Sequence, residues 1–445
     1  MGISGRTPDL AALQSRLYGS WIMNAPPLPR WLLPRLPFFY GWIILACACC
    51  AGLSRQGGAV ATLSVFVTPM TAEFGWSRTA LSGAVSMGGI LAALVSPVLG
   101  RFLDREGARI VLCAAVLTTG LADMALSLTA SLPMFYLLFC VARMNFAGPF
   151  DLGIYGAVNS WFVARRALAS SIATVGQMTG LVTLPLIASL AMAGGGWRAG
   201  WLAIGVTVLL AGFVPVFLLM VRAPEDMGLT PDGGVPATRD PAAPVLPEPA
   251  FTRAEALRTR SFWLLSLFTL LAYPVQAGVS LHQAPFLIER GLSPAAAASV
   301  VSYFSLMSGI ASFSFGLMPR AFTVRWKLVL TGLSLCLGTA LCGAVHGIAS
   351  ACLATGFFGL GVGGLLVTLP IAWADYFGRR SYGAIRGIAL TVQVLAQASG
   401  PLLSGVLRDT TGGYETSLVC FAVLSGLSAL AALLARPPGA VTASA

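Results

Sequence analysis

The sequence predicts an all-α membrane protein with twelve transmembrane helices arranged as two six-helix parallel repeats. Three observations predict it. First, the 445 residues are 57% hydrophobic and 10% charged, with a mean hydropathy of +0.83, whereas an ordinary soluble chain is about a quarter charged. Second, apolar runs of roughly the 20 residues needed to cross a bilayer follow one another along the chain. Third, the first six runs repeat in the last six at a constant offset. This composition excludes a soluble globular enzyme, a disordered chain and a secreted disulfide scaffold.

Residues 1–39 carry Arg6, Arg16, Arg30 and Arg35 and several prolines. No short apolar core followed by a small-residue cleavage site precedes Trp31, so this segment reads as a cytoplasmic tail, with an amphipathic stretch around Leu10–Ile22 resting on the membrane. The apolar runs then predict helices over 40–66, 79–100, 109–129, 132–157, 168–193 and 199–221. Residues 222–260 are rich in Pro, Gly and Asp, have no apolar period, and read as a flexible cytoplasmic linker. A second set of helices is predicted over 261–286, 294–318, 327–346, 350–374, 384–407 and 415–435. The division is therefore a first bundle at 40–221, a second at 261–436 and a short tail at 437–445. The chain has 50 glycines, and small residues let helices in a membrane approach closely.

Charge fixes the expected orientation. Of the 27 basic residues, Lys327 is the one lysine. With the N-terminus inside, 21 basic residues fall in the tails and loops of the cytoplasmic side, Arg386 among them. Only Arg78, Arg198, Arg290 and Arg408 fall on the other side. Positive charge marks the cytoplasmic side, so both termini are expected there. A pI near 9.6 could suggest nucleic acid, but these charges sit in short loops between apolar runs, so no nucleic-acid partner is expected. The nine cysteines lie mostly within the apolar runs. They read as small hydrophobes, and no metal or other cofactor is expected.

The repeat is explicit. Pro69, Glu73, Gly75 and Ser77 recur as Pro285, Glu289, Gly291 and Ser293, and the same offset of 216 pairs Gly100 with Gly316, Gln177 with Gln393 and Pro185 with Pro401. Six helices per half give both halves one orientation, with a binding site expected between them at the bilayer midplane. Between the second and third helices, Gly100, Asp104, Arg105, Gly107 and Arg109 form a G-x-x-x-D-R-x-G-x-R loop. Asp104 there could cap a neighbouring helix end or pair with a basic group, a contact able to break when the halves rock; a plain solvated basic loop is the alternative.

That loop, with the repeat, resembles the signature of the major facilitator superfamily. At a finer level the chain resembles the bacterial monocarboxylate-porter and oxalate/formate-exchange branch. The matching pieces are Tyr40-Gly41-Trp42, Glu73-Phe74-Gly75-Trp76-Ser77-Arg78, Pro224-Glu225-Asp226-Met227-Gly228-Leu229, Asp375-Tyr376-Phe377-Gly378-Arg379-Arg380, Gly400-Pro401 and Asp409-Thr410-Thr411-Gly412. The resemblance implies the major facilitator fold and secondary transport of small organic anions across the bacterial inner membrane, with a proton or counter-ion as partner. Two positions depart from that branch: Ala311-Ser312 stand where it carries Gly-Arg, and its cation late in the first helix is missing near Ala61.

Charged groups inside a bilayer are costly and are candidates for function by default. Arg55, with Gln56, Gly57 and Gly58 beside it, suits carboxylate recognition through its forked guanidinium; a structural ion pair or snorkelling is the alternative. Arg143 and Asp151 lie eight residues apart on the fourth helix. Asp151 and Asp123 are candidates to carry a coupling proton. Gln177, Gln393 and Gln397 could donate to a solute from both halves or bond between helices. Tyr273, Gln276 and Tyr303 are placed facing the same cavity. No Walker loop, HExxH or G-x-S-x-G occurs, so the protein is expected to be no enzyme and to draw energy from a gradient. The leading expectation is a monomeric carrier of a mono- or dicarboxylate. An exporter of amphipathic drugs or metabolites and a transporter-like ligand sensor are the alternatives, the exporter favoured by the scarcity of midplane cations in the second half.

Overall fold

Long helices dominate a computed structural model that describes residues 26–234, 249–319 and 321–438; among these there is no strand. Eleven helices are long and apolar enough to cross a membrane. The longest, Arg166–Leu219, has 54 residues, about 80 Å at helical rise against a hydrocarbon core of about 30 Å. It is two crossings. Gly196 has φ +66° and Gly195 is also non-helical. On either side the chain meets the same level of the first helix: Gly180 abuts the Leu53 carbonyl, and the Ser54 hydroxyl donates to the Val208 carbonyl. Those two contacts are equidistant in sequence from Gly194, so the chain reverses there.

The twelve crossings are α1 (Gly41–Phe74), α2 (Arg78–Glu106), α3 (Ala108–Leu126), α4 (Leu132–Trp161), α5 (166–194), α6 (197–219), α7 (Arg260–Glu289), α8 (Pro294–Leu317), α9 (Val324–Cys342), α10 (Ile348–Phe377), α11 (Tyr382–Thr411) and α12 (Glu415–Leu434). Six of them, α1, α2, α4, α7, α10 and α11, run past the predicted C-terminal ends by three residues or more, and the others end within a few residues of the prediction or short of it. Leu137 and Leu402, 70% and 71% exposed, belong to an apolar surface that only lipid covers.

The repeated motif is a turn between crossings. Gly75 and Gly291 both take positive φ at the ends of α1 and α7, where a left-handed residue closes a helix. Ser77 and Ser293 then cap α2 and α8, accepting from the backbone N–H groups of Ala80 and Ala296. The described residues nearest the two ends, from 26 and up to 438, and those flanking the linker, up to 234 and from 249, lie on one side, termed the linker face; the two repeated turns lie on the opposite, distal face.

Two helices are broken where the site lies. α1 stops at Arg55, passes through a 3-10 turn at Gln56–Gly58 and restarts at Val60. α4 is interrupted at Gly148 and restarts at Pro149, because the residue before proline is driven out of the helical region. The restart puts Asp151 in a helix first turn, where an acid is favoured.

The halves meet chiefly through α2 against α11 and α5 against α8. Gly100 and Gly383 stand backbone to backbone, Gly387 lies on the Ser96 carbonyl, and Gly316 lies on Ser171 of α5; a side chain at these glycines has no room. The Thr391 hydroxyl donates to the Ala93 carbonyl at 2.7 Å. These contacts seal the linker face.

The described ends of the linker are tied to the bundles. Residues 235–248 lie outside the described residues, but the Asp232 carboxylate accepts the backbone N–H groups of Val163, Ala164 and Arg165, tying this stretch to the first half. Thr252 and Glu255 form a capping box on a short helix, Arg253–Arg258, and the bond from the Thr252 N–H holds the Glu255 carboxyl below its ordinary pKa. The amphipathic stretch expected at Leu10–Ile22 lies outside the described residues.

Candidate substrate site between the two halves

The helix breaks deliver Arg55 and Asp151 to the same place. Asp151 is ten residues from the end of α4 at Trp161, about 15 Å by helical rise, which is half the depth of the hydrocarbon core. Its Oδ1 accepts from Arg386 at 3.0 Å, and its Oδ2 lies 3.9 Å from Arg55. Arg386 belongs to the second half and is fully buried, so this ion pair joins the halves at the midplane.

Arg55 is also held by its own half. Its Nε donates to the Phe146 carbonyl at 2.9 Å, and a terminal nitrogen donates to Gln177 Oε1 at 2.5 Å. Gln177 passes a bond to the Tyr155 hydroxyl at 3.3 Å, and Tyr155 donates to the Leu366 carbonyl on α10. The Arg55 side chain nevertheless keeps 14% of its surface exposed. Arg143 faces the same ring: both guanidinium carbons stand 4.5 Å from the Phe146 centroid, near enough for cation–π attraction. Arg143 otherwise makes one long bond, 3.4 Å, to the Gly58 carbonyl.

The break at Gly148 falls between Arg143 and Asp151. The acid is taken by Arg386 and Arg55 instead. Gln393 accepts from Arg386 at 2.6 Å. Gln397 donates to Gln276 at 3.2 Å, joining α11 to α7. Tyr273 is buried within electrostatic reach of Arg386, Asp151 and Arg55. Tyr303 packs its hydroxyl over Gly356 of α10 and is not drawn into the cluster. Asp123 faces the break of α1, apart from Arg55.

Arg386 is a correction to the sequence reading, which counted it with the basic residues of a cytoplasmic loop. It lies inside the predicted span 384–407, and that position was the signal for an intramembrane charge. Tyr155 and Phe146 carried no comparable signal, since a tyrosine and a phenylalanine in an apolar run are ordinary.

In the loop motif, both Asp104 oxygens accept backbone N–H groups at the start of α11, from Gly383 and Ala384 at 2.7 Å each, a carboxylate on the positive end of a helix of the other half. Gly107 turns at φ +83° beneath the Arg222 stem, Arg109 donates to the Phe217 carbonyl at 2.9 Å, and Arg105 is exposed. Two further ion pairs bridge the halves on this face, Arg166 with Asp375 at 2.5 Å and Arg379 with Glu225 at 2.7 Å.

Two like-oriented six-helix halves around a charged cluster, in contact on one face, define a multi-pass membrane transporter. A family model described as Major Facilitator Superfamily matches residues 44–287, and the chain belongs to that superfamily; it is a transporter and not an enzyme. Among similar proteins, Monocarboxylate transporter 11 of Mus musculus is 26% identical over 408 residues, covering 87% of this chain and 86% of the relative. The Oxalate:formate antiporter of Oxalobacter formigenes is 25% identical, covering 81% and 84%. Among solved structures, a proton:xylose symporter bound to 6-bromo-6-deoxy-D-glucose superposes with a TM-score of 0.66 at 13% identity, covering 88% of this chain and 94% of that one. A bacterial homologue of the iron transporter ferroportin in an outward-facing state gives 0.65 at 16%, covering 88% and 98%.

Proposed function

We propose that the protein is a secondary active transporter of a small organic anion, a mono- or dicarboxylate, coupled to protons or to anion exchange. The observation that carries this reading is the charge balance of the midplane cluster. Arg55 and Arg386 converge on one carboxylate, Asp151, with Arg386 satisfied by it at 3.0 Å and Arg55 held only at 3.9 Å, while Arg143 stands across the Phe146 ring from Arg55 with no carboxylate of its own among the described residues. That leaves surplus positive charge in a low-dielectric interior, which an anionic solute neutralises. Arg55 would offer its fork to the carboxylate, Arg143 would supply a second cation across the Phe146 ring, and Gln177 would orient Arg55. The monocarboxylate and oxalate:formate relatives support the same substrate class.

The linker face is proposed to be cytoplasmic, in an inner membrane, with the protein acting as a monomer. Removing Arg386 from the tally leaves 20 basic residues on that side against 4, so the positive-inside argument stands. The arrangement sealed on the linker face is then the outward-facing state. The exporter reading rested on the scarcity of midplane cations in the second half, and the burial of Arg386 beside Asp151 favours the anion reading over it.

The test is uptake and counterflow in proteoliposomes with a panel of carboxylates and an internal pH dye. Arg55→Gln is expected to lower anion counterflow by about tenfold or more, the loss of one charge-assisted hydrogen bond pair. Unchanged counterflow in that variant overturns the binding role. Extrusion of cationic dyes with no anion flux overturns the substrate class.

A further inference from the structure

One carboxylate takes no part in the cluster. Asp123 is fully buried on α3, three residues before that helix ends on the distal side, and neither of its oxygens has a hydrogen-bond partner. It faces the break of α1: a methyl group on Gly57 would overlap Asp123 Oδ2, and Thr119, one turn back, packs on the same glycine.

The charged groups of every element around it are engaged elsewhere. On α1, Arg55 reaches Phe146, Gln177 and Asp151. On α4, Arg143 donates to Gly58 and Asp151 is paired with Arg386. On α6, Arg198 pairs with Glu73 of α1 at the distal surface, and next to Asp123 it is Gly205 that packs against Met124 of α3. Arg109 of α3 itself is at the linker end. The Asn145 amide donates to Thr118, Thr119 and the Ala115 carbonyl. An ionised carboxylate in this setting would be an uncompensated charge, whereas the protonated acid leaves no charge behind.

We propose that Asp123 is the proton-carrying residue of this transporter, loaded in the arrangement seen here and unloaded when the halves rock. The proposal rests on the transport reading above and deepens it, selecting a proton over a counter-anion. The structure also supplies the link to the substrate site. Gly57, against which Asp123 lies, is two residues from Arg55 and next to Gly58, whose carbonyl holds Arg143 by that long 3.4 Å bond. The Arg143 Nε has no partner. When the halves rock and the Asp123 carboxyl oxygen releases its proton to water on the newly opened side, the new anion at Gly57 disturbs the backbone on which it lies. The α1 break, and with it Arg55, then shifts.

Two measurements on the full chain in liposomes test this. Infrared spectroscopy of the native protein should show the carbonyl stretch of a protonated carboxylic acid at neutral pH. The band should be missing in Asp123→Asn and present, displaced, in Asp123→Glu. With lactate and oxalate as probes, the ratio of accumulation driven by a pH gradient to counterflow should fall at least about tenfold in Asp123→Asn and recover in Asp123→Glu. An unchanged ratio, or an acid band indifferent to Asp123→Asn, overturns the proposal. If the native protein moves neither probe, the anion reading fails, and the infrared band still decides whether Asp123 holds a proton.

Discussion

Gln177 and Gln393 stand at equivalent positions of the two repeats, and each amide oxygen accepts from an arginine, Arg55 at 2.5 Å and Arg386 at 2.6 Å. Both arginines reach the single carboxylate of Asp151. The pseudo-twofold relation between the halves thus survives in the hydrogen bonding although the arginines come from α1 and α11, which are not repeat partners. The two glutamines differ in exposure of what they hold: Arg386 is sealed, while Arg55 keeps an open side.

Gln177→Ala should therefore act on solute binding. Removing the acceptor of a charge-assisted bond costs about 1.5–3 kcal/mol, so KM for the transported anion should rise by roughly tenfold or more with little change in melting temperature. Gln177→Glu should be worse, because a second carboxylate neutralises the cation the anion needs. Uptake kinetics with each purified variant measure both.

Asp151 and Arg386 call for a stability experiment. Removing one partner of a buried pair strands the other charge and costs about 3–5 kcal/mol. Asp151→Asn and Arg386→Gln should each lower the unfolding temperature in detergent, and the double variant should recover much of the loss. A double variant as unstable as the sum of the singles would show that the two side chains act independently.

The backbone contact between α2 and α11 predicts a conformational variant. Gly387→Val has no room against the Ser96 carbonyl, so the linker face should be pushed open. Spin labels at Arg101 and Arg380, both exposed and on opposite halves, should report a longer distance in this variant than in the parent. An unchanged distance distribution would mean the helices accommodate the side chain.

Gly196→Ala tests the reversal between α5 and α6. Gly196, at φ +66° and ψ −173°, sits in a region essentially reserved for glycine, so a side chain there is strained by about 1–3 kcal/mol; an added Cβ would meet nothing within 4 Å, so any loss is a backbone effect. Gly194→Ala, with equally open surroundings and no positive φ, should be neutral in thermal unfolding.

Much of this was legible in the sequence because lipid imposes a simple rule: a crossing must be long, apolar and hydrogen-bonded within itself. The turn at Gly75 and Ser77 could be read from its copy at Gly291 and Ser293. Arg55 could be read because a cation deep in an apolar run is rarely idle. The interruptions at Gln56–Ala59 and Gly148 carried a local signal, Gly57-Gly58 and Gly148-Pro149, but a glycine pair or a Gly-Pro step can be a kink, a break or a close approach. The partners of Asp151 were not legible at all. Arg386 lies 235 residues away, and an ion pair across that separation is set by how the bundles pack, not by spacing along either helix.

Asp232 adds a practical point about the connection between the bundles. By binding three amides at 163–165 it makes residues up to 234 part of the first body, while the Phe251 N–H donates to the Phe377 carbonyl and makes residues from about 249 part of the second. The stretch between them, 235–248, reaches at most about 50 Å when fully drawn out. Severing the polypeptide there would cut none of these anchors, and the two fragments, made as separate polypeptides in one cell, should still find each other through the glycine seams and Asp104.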